Sequence, residues 1–184
     1  MSKTFETIND QIREFIAAQK MFFVATAPLS EDGLVNLSPK GLDGTFAILD
    51  DRTVAYLDLT GSGIETVAHV KENGRICVMF CAFEGPPKIV RIHGRGEVLA
   101  ADDAEFAELL THFPDYTGVR SIVRIHATRI SDSCGFAVPV YEYKSQREQL
   151  LRWSQHKGED EIAAYHSEKN ATSLDGLPGI RRDK

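Results

Sequence analysis

Four strand-like stretches follow one another early in this chain with no room between them for a crossover helix. Met21 to Ala27 is apolar and β-rich, and Leu34 to Ser38 returns as the second arm of a hairpin across the Ser30-Glu31-Asp32-Gly33 turn. Phe46 to Leu49 and Thr53 to Leu59 repeat the pattern across Asp50-Asp51. A parallel sheet needs a crossover of about a dozen residues between strands, so these segments pair antiparallel. Further strands are expected from Arg75 to Phe83, Ile89 to about Leu99 and Ser121 to Ser131. Six or so strands joined mainly by tight turns predict a mainly β (α+β) fold, an antiparallel barrel with peripheral helices rather than a doubly wound sheet.

The helical signals sit around those strands. Phe5, Ile8, Ile12, Phe15 and Ile16 recur at helical spacing and predict a helix from Thr4 to Gln19. Glu65 to Glu72 reads as a short helix ended by Asn73-Gly74, and Asp102 or Asp103 caps another that runs to about His112. From Lys144 the chain turns helical again, with Leu150, Leu151 and Trp153 and then Ile162, Ala163 and Tyr165 as its apolar positions. Residues 170–184 have no periodicity and form either a docked or a disordered tail. Two parts of one domain result: residues 1–143, the barrel with its first helix, and residues 144–184, a helical C-terminal extension. At 184 residues the chain buries a core without disulfide staples.

One junction carries chemistry. Asp58-Leu59-Thr60-Gly61-Ser62-Gly63-Ile64-Glu65-Thr66 passes from strand to helix with almost no spacer. The first turn of a helix leaves amide N–H groups unpaired at the positive end of the macrodipole, which suits a phosphate. Thr60, Ser62 and Thr66 carry hydroxyls, and Gly61 and Gly63 allow close approach and positive φ. The same residues also describe an ordinary turn capped by Ser62 or Thr60. A second segment bears on that choice: Leu34-Val35-Asn36-Leu37-Ser38-Pro39-Lys40-Gly41 ends a strand with Pro39, which lacks an N–H and should take the strand out of its ladder, and with Lys40, a point charge for phosphate.

The net charge of −6 argues against a nucleic-acid surface but leaves room for local basic clusters, so the expected partner is a small anion. No apolar run approaches the roughly 20 residues of a membrane span, and no basic-then-apolar leader opens the chain. Three scattered cysteines do not make a disulfide framework. Together these features predict a cytoplasmic protein.

The two segments and their surroundings resemble the pyridoxamine 5′-phosphate oxidase-related family of FMN-binding split barrels. The resemblance runs from Val24 to about Tyr143, through Val-Asn-Leu-Ser-Pro-Lys-Gly at 35 to 41, Tyr-Leu-Asp-Leu-Thr-Gly-Ser-Gly at 56 to 63, Met79 to Pro87 and Arg91-Ile92-His93-Gly94-Arg95-Gly96, and the tail from Glu168 to Gly179 is similar too. It implies a six-stranded antiparallel split β-barrel that forms a homodimer, with FMN held in clefts between the subunits. It also implies that Leu37, Ser38, Pro39 and Lys40 lie along the flavin, Lys40 toward the phosphate, and that Leu59, Thr60, Gly61, Ser62 and Thr66 form the phosphate and ribityl region. The vitamin-forming oxidases of the family have an Arg-Lys pair where this chain has Thr66-Val67, an arginine at Val35 and a glutamine at Ile89. Their C-terminal tryptophan and arginine elements have no counterpart either, which argues against oxidation of pyridoxamine phosphate. The implied function is FMN-dependent oxidation or reduction of an unidentified small molecule; the alternative is a non-catalytic module, or one that binds haem or deazaflavin.

No catalytic acid or nucleophile stands out, and a flavin enzyme needs none, because the cofactor supplies the chemistry. Cys77 and Cys81 lie roughly 13 Å apart along one strand, too far for a shared zinc, and with Met79 they read as core. No metal site is predicted. Arg91, His93, Arg95 and Glu97 alternate along one strand: Arg91 is either a further charge near the phosphate or part of a solvated face of cross-strand ion pairs. His93 and His126 are the strand histidines that a haem would need. Lys169, Ser173 and Asp175 lie in a tail too polar to order itself, so it is expected to dock on a partner surface near the cleft.

Overall fold

The computed structural model describes residues 2–180. Among the described residues there are eight strands: β1 (Lys3–Phe5), β2 (Phe22–Thr26), β3 (Asn36–Lys40), β4 (Phe46–Ile48), β5 (Thr53–Leu59), β6 (Arg75–Cys81), β7 (Ile89–Leu99) and β8 (Val119–Ser133). The helices are α1 (Asp10–Ala18), α2 (Glu65–Asn73), α3 (Phe106–Leu110) and α4 (Gln149–Lys169). All strands join one antiparallel sheet in the order β3-β2-β6-β7-β8-β5-β4, with β1 added beside β8. Each of the seven strand segments expected from the sequence appears, as β2 to β8; β1 is a three-residue strand that was not expected, so the sheet has eight strands where six or so were expected.

The sheet curls until its two ends meet. Phe22 on β2 and Phe46 on β4 belong to opposite ends of the strand order, yet their ring centroids are 5.1 Å apart, and Phe46 lies 5.0 Å from Phe80 of β6. Only a closed curve brings these rings together. Among the described residues no ladder joins β3 to β4, so the barrel is split along that seam. Alternate residues of β2, β5, β6, β7 and β8 point inward, among them Val24, Val54, Tyr56, Val78, Val90, Ile92, Val123 and Ile125. Ile8, Ile12 and Ile16 complete the same core from the N-terminal segment.

Four local expectations need correction. The first helix begins at Asp10, not Thr4, because the Asn9 side chain accepts the Ile12 amide and caps it there, while Lys3–Phe5 pair with Ile130–Asp132 as β1. Pro39 stays inside β3 opposite Phe23, which an edge strand permits because its missing N–H falls on the unpaired side. Cys77 and Met79 face away from the main core, which β6 meets through Ile76, Val78 and Phe80. Asp103 is spent earlier than a cap, its carboxylate accepting the Ala100 amide at 2.6 Å, so α3 is short and has no side-chain cap.

Elsewhere the expected elements appear. β7 runs from Ile89 to Leu99, and α2 ends at Gly74, whose φ of 68° closes the helix in the left-handed region. α4 bends at Gly158, so that Trp153 before the bend meets Tyr165 after it, centroids 5.1 Å apart. The tail up to Ile180 is docked on its own chain: Ile180 packs with Ile64 and Val67, and Lys71 donates to Gly179 O at 2.9 Å. Among the described residues no helix is long and apolar enough to cross a membrane.

Candidate functional site

A groove of about 940 Å³ opens at the seam. β3 contributes Pro39 and Lys40, and β5 contributes Leu57 and Leu59. Thr60 and Gly61 close one end, and Tyr143, Gln146, Arg147 and Leu150 of the C-terminal arm form the opposite wall. Lys20, Lys40 and Arg147 line it, with no aspartate or glutamate among its lining residues. Such a wall favours an anionic, partly apolar ligand.

Behind Lys40 lies a buried charge cluster. Asp58 sits on the inward face of β5 at 1% exposure. Lys40 Nζ donates to its Oδ1 at 3.0 Å, Arg120 Nε to its Oδ2 at 2.8 Å, and Ser121 Oγ to Oδ2 at 3.3 Å. Burial opposes the charge on Asp58, but Lys40 and Arg120 outweigh it and hold the carboxyl well below the usual carboxylate range. Two cations on one carboxylate leave a positive charge uncompensated at the groove.

The same arginine shapes the glycine junction. Arg120 Nη1 donates to Gly63 O at 2.8 Å and to Gly61 O at 3.2 Å, while Asn170 Nδ2 donates to Gly61 O at 2.9 Å and to Ser62 O at 3.4 Å. Three successive carbonyls are thereby turned inward. In a trans peptide the following N–H points the other way, and with Ile64 itself buried at 1% exposure it is the amides of Ser62 and Gly63 that turn outward. They have no hydrogen-bond partner among the described residues, and Ser62 and Gly63 are exposed. One acidic group stands close by: a side chain at position 63 would meet Glu65 Oε2 at 2.6 Å, and Glu65 Oε1 accepts the Leu174 amide at 3.4 Å.

The junction differs from its sequence description in three respects. Ile64 takes the cap position of α2 without a side-chain bond, so neither Thr60 nor Ser62 caps the helix. Gly61 and Gly63 do not adopt positive φ; their backbone is set by Arg120 and Asn170 instead. The Thr60 hydroxyl is turned inward, donating to Gly118 O at 2.8 Å and lying 2.8 Å from His166 Nε2.

A second polar chain ties the first strands to the tail. Ser38 Oγ donates to Asn36 Oδ1 at 2.9 Å, and Asn36 Nδ2 donates to Thr66 Oγ1 at 2.9 Å and Thr26 Oγ1 at 3.1 Å. Thr26 Oγ1 lies 3.0 Å from His69 Nδ1, and His69 Nε2 lies 3.4 Å from Asp175, which also accepts the Leu34 amide. Ser38 and Thr66 therefore meet through Asn36.

Of the residues singled out from the sequence, Pro39, Lys40, Leu59, Thr60 and Gly61 share the groove. Ser62 adjoins them, and Ser38 and Thr66 lie in the Asn36 chain. Leu37 is 63% exposed on the outer face of β3. Arg91 stands apart from the groove, on the outer face of β7, where its Nη1 donates to Ser133 Oγ at 3.1 Å. Two others of that stripe make cross-strand or loop contacts: Arg124 bonds Glu97, and Arg95 donates to Asn73 O. His93 and His126 are exposed and outside the groove. Burial pushes the Cys77 and Cys81 thiols up against the pull of Arg91, so neither is set up as a thiolate nucleophile. Arg120, Asn170, Asn36 and His69 were not singled out for the site. Asp58 left a signal, a charge at an inward position of an apolar strand, whereas Arg120 and Asn170 left none because their partners lie more than 50 residues away along the chain.

A protein-family model described as pyridoxamine 5′-phosphate oxidase matches residues 8–134. Pyridoxamine 5′-phosphate oxidase family protein ustO of Aspergillus flavus is 35% identical over 199 aligned residues, covering 98% of this chain and 80% of that protein. Two crystal structures of HupZ from Group A Streptococcus, one of a point variant, are 22% and 23% identical, cover 68% and 67% of this chain and 99% and 91% of theirs, and give TM-scores of 0.53 and 0.51. These structural likenesses concern the fold.

Proposed function

Since the chain belongs to the pyridoxamine 5′-phosphate oxidase family, we propose that it binds FMN at the seam groove as a homodimer and acts as an oxidoreductase on a small molecule. The outward amides of Ser62 and Gly63, placed where the groove ends at Gly61, carry this reading. Unpaired amides at a helix start are suited to a phosphate dianion. Leu57, Leu59 and Met21 offer an apolar floor to a planar ring, and Lys20, Lys40 and Arg147 offer it positive charge. The donor set fits the cofactor, with backbone doing what an Arg-Lys pair does in the vitamin-forming enzymes.

Bound there, FMN would supply hydride or single-electron chemistry. The chain's own residues hold and shield. Lys40 is fixed by Asp58, so its remaining N–H groups are aimed without an entropic cost at binding. The leucines of β5 keep water from one side of the groove, and the C-terminal arm limits what enters from the other. Exposed apolar side chains at Val35 (76%), Leu37 (63%), Phe136 (84%) and Val140 (79%) are the surface a second copy would cover.

The visible spectrum of freshly purified protein, followed by titration with FMN, tests the cofactor; sedimentation of the loaded protein tests the assembly. Two broad flavin bands and a dimer are expected. A colourless protein that stays unliganded in excess FMN sinks the proposal, and a Soret band would hand the site to haem. A flavin-loaded monomer would remove the dimer from it.

A further inference from the structure

The chain lacks the side-chain cations that its vitamin-forming relatives set at the phosphate end, and two buried residues stand directly behind that end. Arg120 is 3% exposed and Asn170 is 0% exposed. Neither can touch a ligand bound outside the loop. Between them they take up the carbonyls of Gly61, Ser62 and Gly63, and Arg120 Nη1 also donates to Asn170 Oδ1 at 3.1 Å, which locks one to the other. Asp58 holds Arg120 from below at 2.8 Å.

Asn170 is itself held in place by the tail. It ends α4, its amide donating to His166 O, and its carbonyl accepts the Ile180 amide at 3.0 Å as the tail folds back. Gly179 passes so close that any side chain there would strike Asn170 O at 2.1 Å. The hairpin is closed by Gly179 N donating to Ala171 O and by the Thr172–Pro178 bridge. The hairpin from Ala171 to Ile180 thus fixes where the Asn170 amide points.

We propose that Asn170 and Arg120 are positioning residues for the cofactor's phosphate: by fixing three carbonyls inward they hold the amides of Ser62 and Gly63 in the phosphate-binding orientation before the ligand arrives. The proposal rests on the FMN reading above. A loop without this support would have to be ordered at binding, and its amides would sample other directions. The C-terminal tail acts on the same end of the ligand through Asn170, without contacting it.

FMN and riboflavin share the ring and differ in the phosphate, so the ratio of their affinities isolates this effect from general damage. Asn170→Ala should weaken FMN about tenfold, the loss of one to two hydrogen bonds' worth of preorganisation, and leave riboflavin within about twofold. Asn170→Asp keeps an acceptor for Arg120 but removes both donations to the loop, and it should lower the ratio as well. In the wild type, the amide resonances of Ser62 and Gly63 should move on adding FMN and stay still with riboflavin, a measurement that needs no variant to fold. Equal losses for both ligands, an unchanged ratio in both variants, or unmoved amides in a wild type that binds FMN overturn the positioning role alone. A wild type that binds neither flavin overturns the proposed function and this role with it.

Discussion

The core and the seam of this barrel are held by opposite means. In the core, neighbouring strands meet through side chains whose inward direction follows from alternation, and Val78, Ile92 and Ile130 need only be apolar and well sized. At the seam, Lys40, Asp58, Arg120 and Asn170 come from four separate elements, and each is useful only while the others are present. An apolar core degrades gradually when a methyl is lost. A buried charge cluster fails at once, because the partner left behind is stranded away from water.

The largest expected effect sharpens that contrast. Asp58→Asn strands Arg120 and should cost about 3 to 5 kcal/mol of stability in urea unfolding; a loss below about 1 kcal/mol would mean the cluster behaves like a surface pair. The same carboxylate gives a pH arm. Its folded pKa lies below its unfolded value, so its stabilisation is fully present above the ordinary carboxylate range and is lost as pH falls through and below about 4. Wild type should therefore lose more of its thermal midpoint between neutral pH and pH 3 than Asp58→Asn does.

Ile92→Ala comes next, at about 2 to 5 kcal/mol. It should leave the FMN-to-riboflavin ratio unchanged, and a shifted ratio would show that core and seam are coupled. Lys40→Ala should weaken FMN by about 1 to 3 kcal/mol, the cost of one charged hydrogen bond, as read by fluorescence titration. The smallest effect runs in the opposite direction: Glu65→Gln removes an acid from the helix start and should tighten FMN by about 0.3 to 1 kcal/mol at low salt, fading as salt is added. Weaker binding in that variant would put the phosphate elsewhere.

Local chemistry made most of the frame legible. The alternation in β2, β5 and β7 and the Asn73-Gly74 stop of α2 each need only near neighbours, so their residues announce them. Phe5 misled because its spacing from Ile8 and Ile12 suits a helix, while Asn9 between them makes a cap and Phe5 is drawn into a strand by a partner 125 residues away. The glycine junction was visible as a place and not as a mechanism. Nothing near Gly61 or Gly63 indicates that their carbonyls are claimed by Arg120 and Asn170, since that contact exists only after β8 and α4 have been laid beside β5. The Thr60 hydroxyl was misassigned for the same reason, its acceptor being Gly118.

The unladdered boundary between β3 and β4 has a mechanical meaning. Most edges of this sheet can part only by breaking rows of amide bonds, but here the join is made by Phe22, Phe46 and Phe80, whose rings can slide past one another, and by one lysine reaching an aspartate. A small widening of that slit leaves the remaining strands zipped, because no β3–β4 ladder has to break.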